Sequence, residues 1–354
     1  MIRFAAVRVL QLVPMLLALS WISFALLEIA SGDAAAAQLT ARSVIAPTTT
    51  ELARARHNLG LDQPLAVRYL HWLWDALHGN LGFSYDTGEP VASVLGQALP
   101  WTLLLVGSSL ILTAALALVL GTAAGVVRTN RAGRWAARAV HALTLVLGAC
   151  PAFVFALLAI GVFALLLGWL PAGGVSTPGV PAGAGQVALH LVLPAATLAG
   201  SHHLGVFTRL VETGVVEARD DQHVLTARAL GLPRRTVTVQ HILRTALVPF
   251  VARVGTSFGS LVGGSYAAEV IFGWPGMGRV TLNAALGHDY ATLTGVVLLS
   301  GAVVLAVNLL ADLVVAWLSP ATREGRGRPS RRSLPAPGEA AAPPTEEVPH
   351  GAGE

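Results

Sequence analysis

The sequence predicts an all-α integral membrane protein with about six transmembrane helices, an external loop subdomain and a helical cytoplasmic segment. Three observations predict it. The 354 residues are 54% hydrophobic and only 12% charged, with mean hydropathy +0.65, whereas an ordinary soluble domain is about 25% charged. The apolar residues gather into runs long enough to cross a bilayer, which takes about 20 residues. The basic residues are all arginine and nearly all fall outside those runs. With a net charge of +4 and a pI near 10.0, a nucleic-acid partner would be considered, but these arginines form no single stripe. The one cysteine, Cys150, cannot make an internal disulfide and sits in an apolar run. It reads as a small buried side chain.

The runs are 9–30, 101–127, 139–168, 187–208, 250–272 and 292–318. Glycine and proline interrupt several, which membrane helices tolerate when neighbours satisfy the freed backbone groups. The first run has a second reading as a cleaved signal peptide, because Arg3 and Arg8 precede it and Ala30, Ser31, Gly32 and Ala34 follow. Signal h-regions span only about 7–15 residues, so an uncleaved helix is expected. No repeat marks a solenoid.

Arginine sets the orientation. Arg3 and Arg8 precede the first run, Arg128, Arg131, Arg134 and Arg138 fill the link after the second, and the link 169–186 carries no charge. Arg209, Arg219, Arg228, Arg234, Arg235 and Arg244 lie between the fourth and fifth runs. The positive-inside rule then puts both termini in the cytoplasm and 31–100 outside. In that external segment His57, Leu59, Leu61, Tyr69, Trp72 and Trp74 suggest short amphipathic helices near the membrane surface, and Trp72, Trp74 and Trp101 fit an interfacial aromatic belt. From Pro320 onward the chain is Pro, Gly, Ala, Arg and Glu with little apolar bulk. Residues 320–354 are expected to be a disordered cytoplasmic tail. Its arginines either touch anionic lipid or merely flank the last span.

The stretch 209–249 is too polar and too long for a simple turn. Residues 212–230 read as one helix containing Asp220 and Asp221, with Arg228 near its end, where a cation suits the helix dipole. Gly231 is the expected C-cap and Pro233 forbids simple continuation. A second helix leads from Pro233 into the fifth span. Spacing alone also permits an ordinary interfacial helix.

A family resemblance gives that segment a role. Glu217, then Thr226-Ala227-Arg228-Ala229-Leu230-Gly231-Leu232, then His241 to Pro249 resembles the cytoplasmic EAA-type loop of ABC importer permeases. The dipeptide/oligopeptide/nickel branch is the most similar, and the resemblance runs through nearly the whole chain short of the tail. Leu59 to Pro64 and Gly79 to Ser84 resemble that branch's first external loop. Gly168-Trp169-Leu170-Pro171 and Leu193-Pro194-Ala195 resemble its middle, Glu269 to Gly278 and Asp289-Tyr290 its late signature, and Asn308-Leu309 with Asp312 its last span. Gln222, His223, Leu225, Leu230, Thr245 and Ser319-Pro320 depart from its usual residues. The departures bear on detailed ATPase contacts and suit a dedicated ATPase.

The resemblance implies a permease that pairs with a second, similar permease, with two ATPase subunits beneath and an external solute-binding protein delivering di- or oligopeptides or similar small solutes. Glu217 and residues 226–232 would form the coupling element, with Gly231 supplying the turn and Ala227 and Ala229 allowing close approach. Arg228 would pair with an acid on the ATPase or only snorkel. Trp274, Pro275 and Gly276, with Glu269, would lie near the outer gate. The sequence adds an independent point: a P-loop needs G-x-x-x-x-G-K-[ST], and this chain has no lysine. No cofactor is therefore expected in this chain, ATP and Mg²⁺ being held by partners.

Two other classes remain to be compared with the residues: a membrane-embedded enzyme and an ion-coupled carrier. For a membrane-embedded enzyme, His202, His203 and His190 suggest a metal. Adjacent helical histidines point about 100° apart, and neither H-E-x-x-H nor G-x-S-x-G is present, so no metal or catalytic residue is assigned. An ion-coupled carrier would need ionisable relays inside its spans. Glu28 and Glu269 sit near outer ends and Asp312 near the inner end. Glu269 is expected to reach external water, and Asp312 to pair with a neighbouring arginine. Gly255, Gly259, Gly263 and Gly264 are read as packing positions before pore positions.

Overall fold

The computed structural model describes residues 2–30, 39, 48–58, 62–127, 131–181, 183–200 and 202–318. The tail 320–354, most of the run from Ala34 to Thr50, Leu59 to Leu61 and Arg128 lie outside the described residues.

The chain is helical throughout these parts. In order come α1 (Ile2–Ala30), α2 (Thr49–Asn58), α3 (Leu65–Leu77), α4 (Val91–Val127) and α5 (Arg131–Ala149). Then follow α6 (Ala152–Leu166), α7 (Ala184–Ala199), α8 (His202–Ala218), α9 (Gln222–Ala229), α10 (Leu243–Thr256), α11 (Phe258–Ile271), α12 (Met277–Leu286) and α13 (Tyr290–Leu318). A short turn, Arg234–Thr236, and a π-helical segment, Val237–Ile242, carry the chain from α9 into α10.

The expected spans correspond to these helices with four differences. The second begins at Val91 rather than 101, because the Pro90 carbonyl already accepts from the amides of Ser93 and Val94 and opens the helix there. The third is bent by 101° between α5 and α6. Pro151 stands at the corner with extended ψ 136°, since proline has no amide to give and drives its predecessor out of helix. The fourth is likewise divided, with 67° between α7 and α8. The fifth is divided at Ser257 into α10 and α11, 14 residues each, and about 21 Å of helix is shorter than a bilayer core of about 30 Å. Among the described residues three helices are long and apolar enough to cross a membrane, or five if each bent pair is one span.

Packing centres on α4 and α8. An added Cβ on Gly121 would lie 2.6 Å from the Thr208 carbonyl oxygen, and one on Gly125 2.7 Å from Val215 Cγ1. Small residues four apart thus let the two backbones approach, as membrane helices without a hydrophobic drive require. Gly255 and Gly259 work the same way against Ala311 and Val304 of α13, whereas a Cβ on Gly263 would meet open space. On α8, Phe207, Val211 and Val215 join Val224, Ala227, Val237, Ile242 and Phe250 in one buried cluster. Arg8 and Asp312 pair at 3.2 Å between α1 and α13, as expected for Asp312.

Hydrogen bonds tie α3 to α1 and the segment before α4 to the start of α13. Tyr69 of α3 bonds Ser20 of α1 at 2.7 Å. The Ser84 hydroxyl donates to buried Asp289 at 2.6 Å, and Asp289 also accepts from the Thr292 amide and hydroxyl. Trp72 turns toward Phe24 with 5.6 Å between ring centroids, so of the expected belt residues in α3 only Trp74 points outward. Trp101 meets Trp274 edge to face.

Candidate functional site

The element around Glu217 and residues 226–232 is built on α8. Glu212 is buried and bonds His141 of α5 at 2.6 Å, which fixes α8 sideways as the glycine ridge of α4 fixes it from behind. The helix expected over 212–230 stops at Ala218 and restarts at Gln222. Asp220 and Asp221 lie in the break, not inside a helix, and Asp221 takes the N-cap position of α9 with extended ψ 141°. Asp is a residue that favours such a boundary over a helix interior. Arg219, also in the break, donates from Nη2 to the Val126 carbonyl at the end of α4, where a cation meets the negative end of the helix dipole. Burial pushes its guanidinium below the ordinary arginine value, nearby Arg228 adds to this, and Asp220 opposes it.

α9 is short and two-sided. Val224 and Ala227 are buried in the cluster shared with α8 and the π-helical segment. Thr226, Arg228, Ala229, Leu230, Gly231 and Leu232 are exposed, as is Glu217 at the end of α8. The two alanines therefore part: Ala227 faces its own core and only Ala229 is open to an approaching surface. Leu225 and Leu230 expose 48% and 75% of their surface. The helix closes as expected at Gly231, whose φ is +74°. Its amide bonds the Arg228 carbonyl, and the Leu232 amide bonds the Ala227 carbonyl, which is the paired pattern of a Schellman cap.

The element around Glu269 and Trp274 to Gly276 is built on the end of α11. Glu269 does not reach external water: it is fully buried. Its Oε2 accepts from the Gly278 amide at 2.6 Å, its Oε1 accepts from the Ser265 hydroxyl at 3.3 Å, and Thr102 of α4 lies beside it. Thr102 Oγ1 in turn accepts from the Met277 amide at 2.8 Å. Trp274 is fully buried, donating from its indole to the Trp101 carbonyl at 2.9 Å and from its amide to the Glu269 carbonyl. Gly276 has no room for a side chain, because a Cβ would lie 2.4 Å from Glu269 Oε2. Glu269, Trp274, Pro275 and Gly276 thus form one knot at the top of α11, clasped onto α4. The two elements stand at opposite ends of the α4–α8–α11 packing.

Sequence reasoning did not single out Arg219, Glu212, His141 or Thr102 as site residues. Gly121 and Gly125 were the legible signal: small residues four apart mark where another helix comes close, and Arg219 and Glu212 lie on that helix or just beyond it. His190 is buried, bonding the Gly173 carbonyl at 2.8 Å, and His203 bonds Ser260 at 2.9 Å. Among the described residues no group of three His, Cys, Asp or Glu is placed to hold a metal.

Known proteins fit this arrangement. Residues 117–324 match the family described as binding-protein-dependent transport system inner membrane component, and residues 1–106 match the N-terminal domain of such membrane components. A Brucella ovis protein named as a peptide permease is 36% identical over 321 residues, covering 90% of this chain and 98% of its own. The glutathione transport system permease protein GsiC of Escherichia coli O6:H1 is 32% identical, with 91% and 99% covered. In fold, an inward-facing structure of the MetNI methionine ABC transporter superposes with a TM-score of 0.52 at 19% identity, covering 64% of this chain and 96% of that one. The chain belongs to the binding-protein-dependent transport family and is an inner-membrane permease subunit of an ABC importer.

Proposed function

We propose that this permease forms, with a second homologous permease, the path for di- or oligopeptides or similar small solutes. Two ABC ATPase subunits drive it from the cytoplasm and an extracytoplasmic solute-binding protein loads it from outside. Both of its termini are cytoplasmic, 31–100 is an external subdomain, 101–319 is the permease core with its loop at 212–249, and 320–354 is a cytoplasmic tail. The chain has no ATPase site of its own; ATP and Mg²⁺ bind the partners, in keeping with a sequence that has no lysine for a P-loop. The peptide cargo rests on the name of the Brucella relative, and the glutathione relative widens the class to small peptide-like solutes.

The observation that carries the reading is the build of α9. Val224 and Ala227 root it in the core while Leu225, Arg228, Leu230 and Leu232 are left uncovered. Exposed leucines around one arginine suit a protein partner more than water. A push on α9 passes directly into α8 and α10, because all three share one buried cluster. Glu217 and residues 226–232 are assigned as the coupling element, and Glu269, Trp274, Pro275 and Gly276 as the outer gate.

The test is purification in mild detergent with ATPase activity assayed on the preparation. The expected result is recovery of a second permease and two P-loop ATPases, with hydrolysis lost in Gly231→Pro while the variant chain remains folded. A chain that purifies alone and moves solute on a proton gradient would overturn the importer reading in favour of an ion-coupled carrier.

A further inference from the structure

α3 is the helix of the external segment whose packing against α1 is described. At about 100° per residue its surface divides into three sectors. Leu65, Tyr69, Trp72, Leu73 and Ala76 form an inward sector, all buried or half-buried. There the Tyr69 ring meets Trp21 edge to face at 4.9 Å and Phe24 at 5.7 Å, both on α1. Arg68, His71, Asp75 and His78 fall together on a second, polar sector. Val67, Leu70, Trp74 and Leu77 fall on the third, and these four expose 39%, 60%, 66% and 74% of their surface.

The apolar sector is not an isolated patch. Trp21 and Ile22 of α1, next to the Tyr69 contact, are themselves 39% and 53% exposed, and α1 carries a stretch apolar enough to cross the membrane. Phe83, shortly beyond α3, adds another ring at 62% exposure. Exposed apolar residues thus stand both on a helix apolar enough to span and on the α3 that is clasped to it. A helix with one charged flank and one apolar flank that carries a tryptophan has the pattern of a helix lying in a bilayer interface.

We propose that α3 is an interfacial helix whose Val67-Leu70-Trp74-Leu77 face is submerged in the lipid of the outer leaflet, with Arg68, His71, Asp75 and His78 turned to water. The occupant of this face is lipid, because the face carries no charge and its helix is clasped to one apolar enough to span. The aromatic clasp of Tyr69, Trp72, Trp21 and Phe24 sets the depth of α3 against α1. The external segment is thereby held to the membrane plane rather than standing free above it. This inference does not depend on the cargo or on the partner subunits.

A fluorescence experiment on the full chain in liposomes tests it. In a Cys150→Ser background, Leu70→Cys and Leu77→Cys are labelled with bimane on the apolar face, and His71→Cys and Asp75→Cys on the polar face. Phe83→Cys provides a second apolar position outside the helix. The probe is phosphatidylcholine with a nitroxide near the top of its acyl chain. The expected result is several-fold stronger quenching at 70, 77 and 83 than at 71 and 75. Equal quenching at both faces, or apolar-face labels that respond to a water-soluble nitroxide and not to the lipid one, overturns the proposal. Lipid quenching at 70 and 77 that disappears when an external binding protein is added would also overturn it, by making that protein the occupant.

Discussion

At the scale of single residues, the buried acid Glu269 is a fastener. Glu269 has no exposed surface and holds the Gly278 amide and the Ser265 hydroxyl. Glu269→Ala leaves those donors unanswered, which costs about 1–3 kcal/mol for a buried group. Glu269→Gln keeps an oxygen for the Gly278 amide and is expected to cost less, so thermal unfolding in detergent should order wild type above Gln above Ala. A different carboxylate gives a pH effect. Thr48 and Glu51 form a capping box on α2, the Thr48 amide bonding Glu51 Oε2 at 2.8 Å and the Glu51 amide bonding Thr48 Oγ1 at 3.3 Å. The Thr48 backbone and side-chain hydrogen bonds hold the Glu51 carboxyl below the usual range. Its support of α2 is therefore complete above the ordinary carboxylate value and is lost as pH falls through the lowered one. Amide exchange over 49–58 should quicken on that acid side, and Glu51→Gln should remove the dependence. The roles of these acids were only partly legible in the sequence. The pairing of Asp312 followed from arginines flanking the spans, but the burial of Glu269 did not follow from its position near a span end. The residues that enclose it, Thr102 and Gly278, come from another helix and from beyond a turn.

At the scale of elements, the glycines make sharp predictions. Gly231 sits at φ +74°, where any residue with a Cβ costs roughly 1–2 kcal/mol. Gly231→Ala should fray α9 without harming the spans, which amide exchange over 222–232 would report. Gly121→Ala should instead strain the packing of α4 on α8, because its Cβ meets the Thr208 backbone oxygen and Val211 at once; overpacking of this kind costs about 1–3 kcal/mol. Gly263→Ala, facing open space, should shift stability by less than about 0.5 kcal/mol. A thermal melt of the three variants that failed to rank 121 below 263 would contradict the packing described here. The closing of α9 was legible, since Gly231 followed by Pro233 admits few alternatives. The break before it was not. Helical periodicity runs unbroken through 212–230, and the chain parts at 219–221 because Arg219 reaches α4, a contact with a helix about 90 residues earlier in the chain.

At the scale of the whole molecule, the apolar runs located the helices and missed their corners. Composition reports that a segment prefers lipid; it does not report direction, so the 101° turn between α5 and α6 is visible in sequence only as one proline among several tolerated ones. Pro14, Pro100, Pro194 and Pro249 all lie inside helices, whereas Pro151 ends one. The Ser84–Asp289 bond crosses the whole chain, joining residues 205 apart. Asp289→Ala should free the segment 81–90, raising its protease sensitivity while leaving α4 and α13 intact.

That same bond carries a consequence for biogenesis. The strap around Ser84 emerges from the ribosome early, but the acid that fastens it stands just before α13. Until that part of the chain is made, the strap lacks its acceptor, so a chain that stops short leaves the strap unlatched. The bond thus doubles as a report that synthesis has reached α13.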